Sequence, residues 1–116
     1  MLIISFLQNY PASSEPKGLT RIADTSKIRT NLEVIINTSK SRNYLNVNVL
    51  DSIADFIKNE FSKSSQRVIV QKFDANNRSY SNIIASFGPE DGERIIVGAH
   101  YDVCGDQDGA DDNASG

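Results

Sequence analysis

The chain has a single histidine, His100, which follows directly on the apolar run Ile95-Ile96-Val97-Gly98-Ala99. Asp102 lies two residues beyond it, and Asp112 lies twelve residues beyond it in the acidic knot Asp111-Asp112-Asn113. An imidazole and carboxylates are the groups that bind divalent metals or move protons. On an extended backbone, residues two apart point to the same side, so His100 and Asp102 share a face. If one imidazole nitrogen binds a metal, the other must donate its proton, and a carboxylate is a usual partner that fixes the tautomer. Asp102 is placed for that role. Asp112 lies across the loop, where an aspartate can bridge two ions through its two oxygens; paired divalent ions roughly 3.5–4 Å apart activate water and polarise a carbonyl. Glycines at 105 and 109 let the intervening loop bend tightly.

The same residue types admit other readings. A histidine after a strand is often a structural hydrogen-bonding residue, and Asp106, Asp108, Asp111 and Asp112 are the oxygen ligands of which calcium loops are made. The D-x-D-x-D-G register of an EF-hand, with glutamate at its twelfth position, is missing. Residue types leave a metal site and a solvated acidic loop both open.

Elements upstream must position these residues. Asp24-Thr25-Ser26 offers N-caps for a helix over Thr25 to Asn37, with Ile28, Leu32, Ile35 and Ile36 on one face. A polar connection, Thr38 to Tyr44, contains Arg42 and Tyr44 as its only large groups. A second helix is marked by the stripe Leu50, Ile53, Ala54, Ile57 and Phe61, with Asn48 as its expected cap and Asp51 and Asp55 early, where negative charge suits the helix dipole. Arg67 to Phe73 has the β-branched content of a strand, Asp74 to Asn77 is turn chemistry, and the chain returns as Tyr80 to Phe87, so an antiparallel pair is expected. After the turn Gly88 to Gly92, the third strand runs from Arg94 to Ala99. Its apolar residues are consecutive, which predicts burial on both faces in the middle of an α/β sheet. Two helices cannot easily cover both faces of such a strand, and Asn113-Ala-Ser-Gly reads as a helix entry, so the last strand and its loop are expected to be poorly covered.

Composition bounds the function. At 116 residues, 39% hydrophobic and 23% charged, the chain fits one domain with a modest core. A net charge of −3 with scattered basic residues gives no clustered basic surface for nucleic acid. Cys104 is the one cysteine, which excludes an intrachain disulfide and a multi-thiolate zinc site; a small, buried, free thiol is the expected state, with pairing to a cysteine outside this chain as the alternative. The apolar run Leu2 to Leu7 is far too short for a membrane span and lacks the basic flank of a signal peptide. Residues 1–18, with two of the three prolines, read as an extended leader ahead of a domain at 19–116. Three Asn-x-Ser triplets, at Asn37, Asn77 and Asn113, match the glycosylation pattern and carry weight only in a secreted eukaryotic protein.

The block IIVGAHYD, followed by GADDNASG, resembles the di-zinc aminopeptidase family. These are bacterial leucyl aminopeptidase-like zinc exopeptidases whose relatives include glutamate carboxypeptidase II, the transferrin receptor and the glutaminyl cyclases. The upstream order of two helices, a strand pair, a turn and an apolar strand resembles the start of that family's domain. The resemblance covers roughly Leu19 to Gly116, and its last twenty or so residues are the specific part.

That resemblance implies an α/β/α sandwich with a mixed central sheet, present here as its N-terminal part. It implies a metallo-exopeptidase in which a zinc-activated water cleaves the first residue from a peptide with a free N-terminus, using two zinc ions. His100 then resembles a zinc ligand, Asp112 the carboxylate that bridges both zincs, and Asp102 the active-site aspartate that orients His100. The Asp112-Asn113 peptide resembles one held cis in the family. Asp106, Asp108 and Asp111 have no catalytic counterpart and are read as solvated or loop-capping. The family's general base comes from a Glu-Glu pair, followed by further aspartate and histidine ligands. Here Glu15, Glu33, Glu60, Glu90 and Glu93 are all isolated and upstream, and no second histidine occurs, so the remainder of the catalytic domain is required for activity. Two alternatives stand beside this: a non-catalytic interaction domain on the same scaffold, and a glutaminyl-cyclase-like single-zinc enzyme. The family setting implies secretion or a periplasmic location.

Overall fold

A computed structural model describes residues 2–8, by backbone, and residues 23–91 and 93–116. The fold is α/β, with the order β1 (Leu2–Gln8), α1 (Thr25–Ile36), α2 (Val47–Ser62), β2 (Arg67–Ala75), β3 (Arg78–Ser86) and β4 (Arg94–His100), followed by a wide turn at Ala110–Ala114.

Helix α1 starts as the sequence suggests: the carboxylate of Asp24 accepts from the Lys27 amide at 3.0 Å. Of its apolar face, Ile35 is buried, while Ile28 is 57% exposed, so α1 is only partly covered. Helix α2 carries the expected stripe, with Leu50, Ile53, Ala54 and Ile57 buried. It begins at Val47, so Asn46 rather than Asn48 stands at its N-cap, and the first turn holds no acidic residue. The Asn46 side chain is committed elsewhere, donating to the Ser41 carbonyl at 2.8 Å, and so does not cap the helix.

The hairpin β2–β3 forms as expected from Arg67↔Ser86 to Ala75↔Arg78. Its two-residue turn, Asn76 and Asn77, has both φ values positive (51° and 59°), the geometry that matches strand twist and that asparagine tolerates. Along β3, Ser81, Ile83 and Ala85 are buried and alternate with half-buried neighbours, so one face packs under α2. Tyr80, Ile83 and Tyr101 join the α2 stripe and Ile35 in one cluster.

The sheet is mixed and four-stranded, in the order β2-β3-β1-β4. Strand β1 runs parallel to β3 (Ile3↔Ile83) and antiparallel to β4 (Leu2↔His100). Residues Leu2–Gln8, expected within an extended leader, are therefore paired as an inner strand; a six- or seven-residue apolar run cannot be assigned from periodicity alone. The leader beyond Gln8 and the domain start at Leu19 lie outside the described residues. Strand β4 is an edge and not a central strand, and Ile95, Ile96 and Val97 are 44%, 65% and 49% exposed. The expectation of poor cover is met, while the burial its sequence implies on both faces is not. Cys104 is a free thiol, as expected, but exposed instead of buried. Among the described residues, no helix is long and apolar enough to cross a membrane.

Candidate metal centre

The end of β4 delivers His100, the chain then continues through Asp102 and a loop containing Gly105 and Gly109, and the wide turn brings Asp112 back. Both glycines have positive φ, 64° and 61°, which realises the tight bends expected of them. The turn is closed by bonds from the Ala114 amide to the Gly109 carbonyl and from the Ser115 amide to the Ala110 carbonyl, each 3.0 Å. The helix entry expected from Asn113 onward takes the form of this turn, and the Asp112–Asn113 peptide is cis.

The three residues singled out by sequence come together. Nδ1 of His100 lies 3.0 Å from the main-chain oxygen of Asp102 and 3.5 Å from its Oδ1. Nε2 lies 2.9 Å from Oδ1 of Asp112. A carbonyl oxygen can only accept, so the Asp102 contact places a proton on Nδ1. Nε2 then faces the carboxylate oxygen of Asp112. Asp102 orients the ring chiefly through its main chain, with the carboxylate expected for the task standing further off. The imidazole is 39% exposed and the Asp112 carboxylate 80% exposed, so both remain open to a ligand.

An imidazole nitrogen and a carboxylate are donors of the kind zinc takes, and two ligands of one tetrahedral ion lie roughly 3.3 Å apart given metal–ligand bonds of about 2.0–2.2 Å. The 2.9 Å pair needs only a slight opening to admit one. Among the described residues no cluster of three or more His, Cys, Asp or Glu side chains is positioned to hold a metal. A closed or catalytic zinc site takes three or four protein ligands, and the described residues bring two candidate ligands together. Asp106 is exposed and accepts from Ser41 Oγ at 2.9 Å, and Asp108 and Asp111 are exposed.

Sequence reasoning passed over Arg42. Its side chain is 1% exposed, and it donates to the carbonyls of Tyr101, Ile35, Asp108 and Gly109 at 2.8–3.2 Å. Burial lowers its pKa from the ordinary value, and the negative charges of Asp102 and Asp108 work against that shift. Tyr101, also 1% exposed, donates to the Ser81 carbonyl at 2.6 Å and ties the end of β4 to the start of β3. Burial, with Asp51 and Asp102 nearby, pushes its phenol well above the usual range. The signal available for Arg42 was an arginine in an otherwise small, polar connection between two amphipathic helices.

Comparisons with known proteins give one relative along most of the chain and one family match that takes in this segment. The chain is 36% identical over 104 residues to "Uncharacterized protein YfbL" of Escherichia coli (strain K12), a match that takes in 83% of this chain and 32% of the relative. The chain thus spans about a third of the length of the curated relative it matches. No solved structure matches it significantly. Residues 82–116, which contain His100, Asp102 and Asp112, match the model of Peptidase family M28. On that segment, and as a partial match, the chain is similar to Peptidase family M28.

Proposed function

We propose that the chain is the N-terminal part of the catalytic domain of a zinc-dependent aminopeptidase that acts on peptides with a free amino terminus. In this reading the domain takes in residues 19–116 together with β1, and the intact protein completes an α/β/α sandwich around the mixed sheet. His100 and Asp112 would hold the metal, with Asp112 the carboxylate that two zinc ions would share, and Asp102 would fix the ring of His100. The observation that carries the reading is the opposition of His100 Nε2 and Asp112 Oδ1 at 2.9 Å, with Nδ1 turned to Asp102. The family match over residues 82–116 supports the metallopeptidase class.

When bound, the zinc pair supplies an activated water and a polarised scissile carbonyl. The residues of this chain prepare for it. Asp102 keeps the proton on Nδ1, so the Nε2 lone pair faces outward from the ring toward Asp112. Asp112 offers one oxygen toward His100 and, being exposed, leaves its other oxygen for a second ion. The general base and the remaining ligands belong, in this reading, to the part of the protein beyond Gly116.

The test is an assay of the full-length, zinc-loaded protein on a short peptide with a free N-terminus and on its N-acetylated twin. The expected result is release of the first residue from the free peptide alone, abolished by a chelator and by His100→Ala. Equal cleavage of both peptides sinks the aminopeptidase reading, and cleavage of neither sinks peptidase activity.

A further inference from the structure

We propose that the segment Ser41–Asn43, with Arg42 at its centre, is a positioning clamp that sets the separation of His100 from Asp112; the inference rests on the metal-site reading above. The clamp lies in the connection between α1 and α2 and contributes nothing to the metal itself. Its contacts fall on both stems of the loop that joins the two candidate ligands. On the first stem, Arg42 Nε donates to the carbonyl of Tyr101, the residue between His100 and Asp102, at 2.9 Å. On the second stem, Nη1 donates to the Asp108 carbonyl at 2.8 Å and Nη2 to the Gly109 carbonyl at 3.2 Å, directly ahead of the turn bearing Asp112. Nη1 also donates to the Ile35 carbonyl at 2.8 Å, which anchors the group to the end of α1.

The neighbouring residues add to the grip. The Val103 amide donates to the Arg42 carbonyl at 3.0 Å, Asn43 Nδ2 donates to the Gly105 carbonyl at 2.9 Å, and Ser41 Oγ donates to Asp106 Oδ1 at 2.9 Å. A guanidinium is planar and its donors are fixed relative to one another, so bridging two stems with it fixes their distance as a flexible side chain cannot. Electrostatics alone would not place a buried cation beside a site for divalent cations, whereas the need for several donors at set positions does. Burying that charge is costly unless its donors are satisfied, and here four hydrogen bonds reach carbonyls on three separate segments.

The test uses the full-length protein as wild type, Arg42→Lys and Asn43→Ala. Zinc affinity is read by competition with a chromophoric chelator, and ligand geometry by the visible absorption of the cobalt-substituted protein. Lysine keeps the charge but offers its donors from a single point, so Arg42→Lys is expected to weaken zinc binding roughly tenfold to a hundredfold and to shift the cobalt spectrum. Asn43→Ala is expected to weaken binding less, in the same direction. A merely structural Arg42 would lower the melting temperature and leave affinity and spectrum unchanged, and that result overturns the clamp. If Arg42→Lys does not fold, Asn43→Ala decides, and wild-type affinity and spectrum there also overturn it. A wild type that takes up no zinc overturns the functional reading first, and the clamp with it.

Discussion

Nε2 of His100 stands 2.9 Å from Oδ1 of Asp112, although twelve residues separate them in the chain. The distance is set by the elements on either side. Strand β4 ends at His100, the loop turns at two positive-φ glycines, and Arg42 holds both of its stems. A site assembled this way depends on residues that never touch a ligand, and the expected effects of substitution follow from that dependence.

Tyr101→Phe removes the hydroxyl that donates to the Ser81 carbonyl at 2.6 Å. The expected loss of stability is about 0.5–1.5 kcal/mol at neutral pH, the usual net worth of one such bond. A pH dependence accompanies it. The folded state raises the Tyr101 pKa, and the unfolded chain has the ordinary value of about 10. Below that pH both states hold the proton and the wild type keeps its full advantage. Above it the unfolded state releases the proton first, so the advantage shrinks as pH climbs toward the folded value. Denaturant melts of wild type and variant between neutral and alkaline pH should converge; parallel curves would contradict the assignment.

Gly109→Ala and Gly105→Ala form a matched pair. Both positions have positive φ, so each substitution is expected to cost about 1–2 kcal/mol from backbone conformation alone. A Cβ at 105 meets nothing within 4 Å, whereas one at 109 collides with Val103 Cγ1 and comes within 2.9 Å of Arg42 Nη2 and of the Asp112 carbonyl. Gly109→Ala should therefore be the more destabilising and should also weaken zinc binding, with Gly105→Ala weakening it little. Equal melting temperatures for the two variants would argue against the close packing of the clamp on this loop.

Among the described residues one edge of strand β4 is unpaired, and Ile95, Ile96 and Val97 are exposed. An unpaired apolar edge favours association between copies. The polypeptide Met1–Gly116 expressed alone is expected to self-associate in sedimentation experiments, and Ile96→Lys to reduce that association. A monodisperse, cooperatively melting polypeptide without the substitution would show that the edge is not a liability.

The parts of the fold legible in the sequence are those decided locally. The Leu50, Ile53, Ala54, Ile57 stripe of α2 and the Asn-Asn turn of the β2–β3 hairpin carry their own periodicity or backbone chemistry. The grouping of His100, Asp102 and Asp112 was legible through strand alternation, through a glycine-hinged loop and through the family resemblance. What was not legible depends on distant partners. The pairing of Leu2–Gln8 inside the sheet is invisible in a short apolar run, and the edge position of β4 is invisible in its own sequence. Asn46 displaced Asn48 at the start of α2, and its side chain serves the Ser41–Asn43 segment instead of the helix. Arg42 looked like one basic residue in a polar connection, because its acceptors lie on α1 and on a loop roughly sixty residues away. Asp102 was expected to act through its carboxylate, and its carbonyl stands closer to the ring.

Whether His100 and Asp112 hold zinc is read from calorimetric zinc titration of the full-length protein beside His100→Ala and Asp112→Ala. Two zinc ions per wild-type chain are expected, with both substitutions lowering affinity or stoichiometry and Asp112→Ala affecting both ions, as a shared carboxylate would. Wild-type stoichiometry and affinity in both variants would contradict zinc binding by this pair.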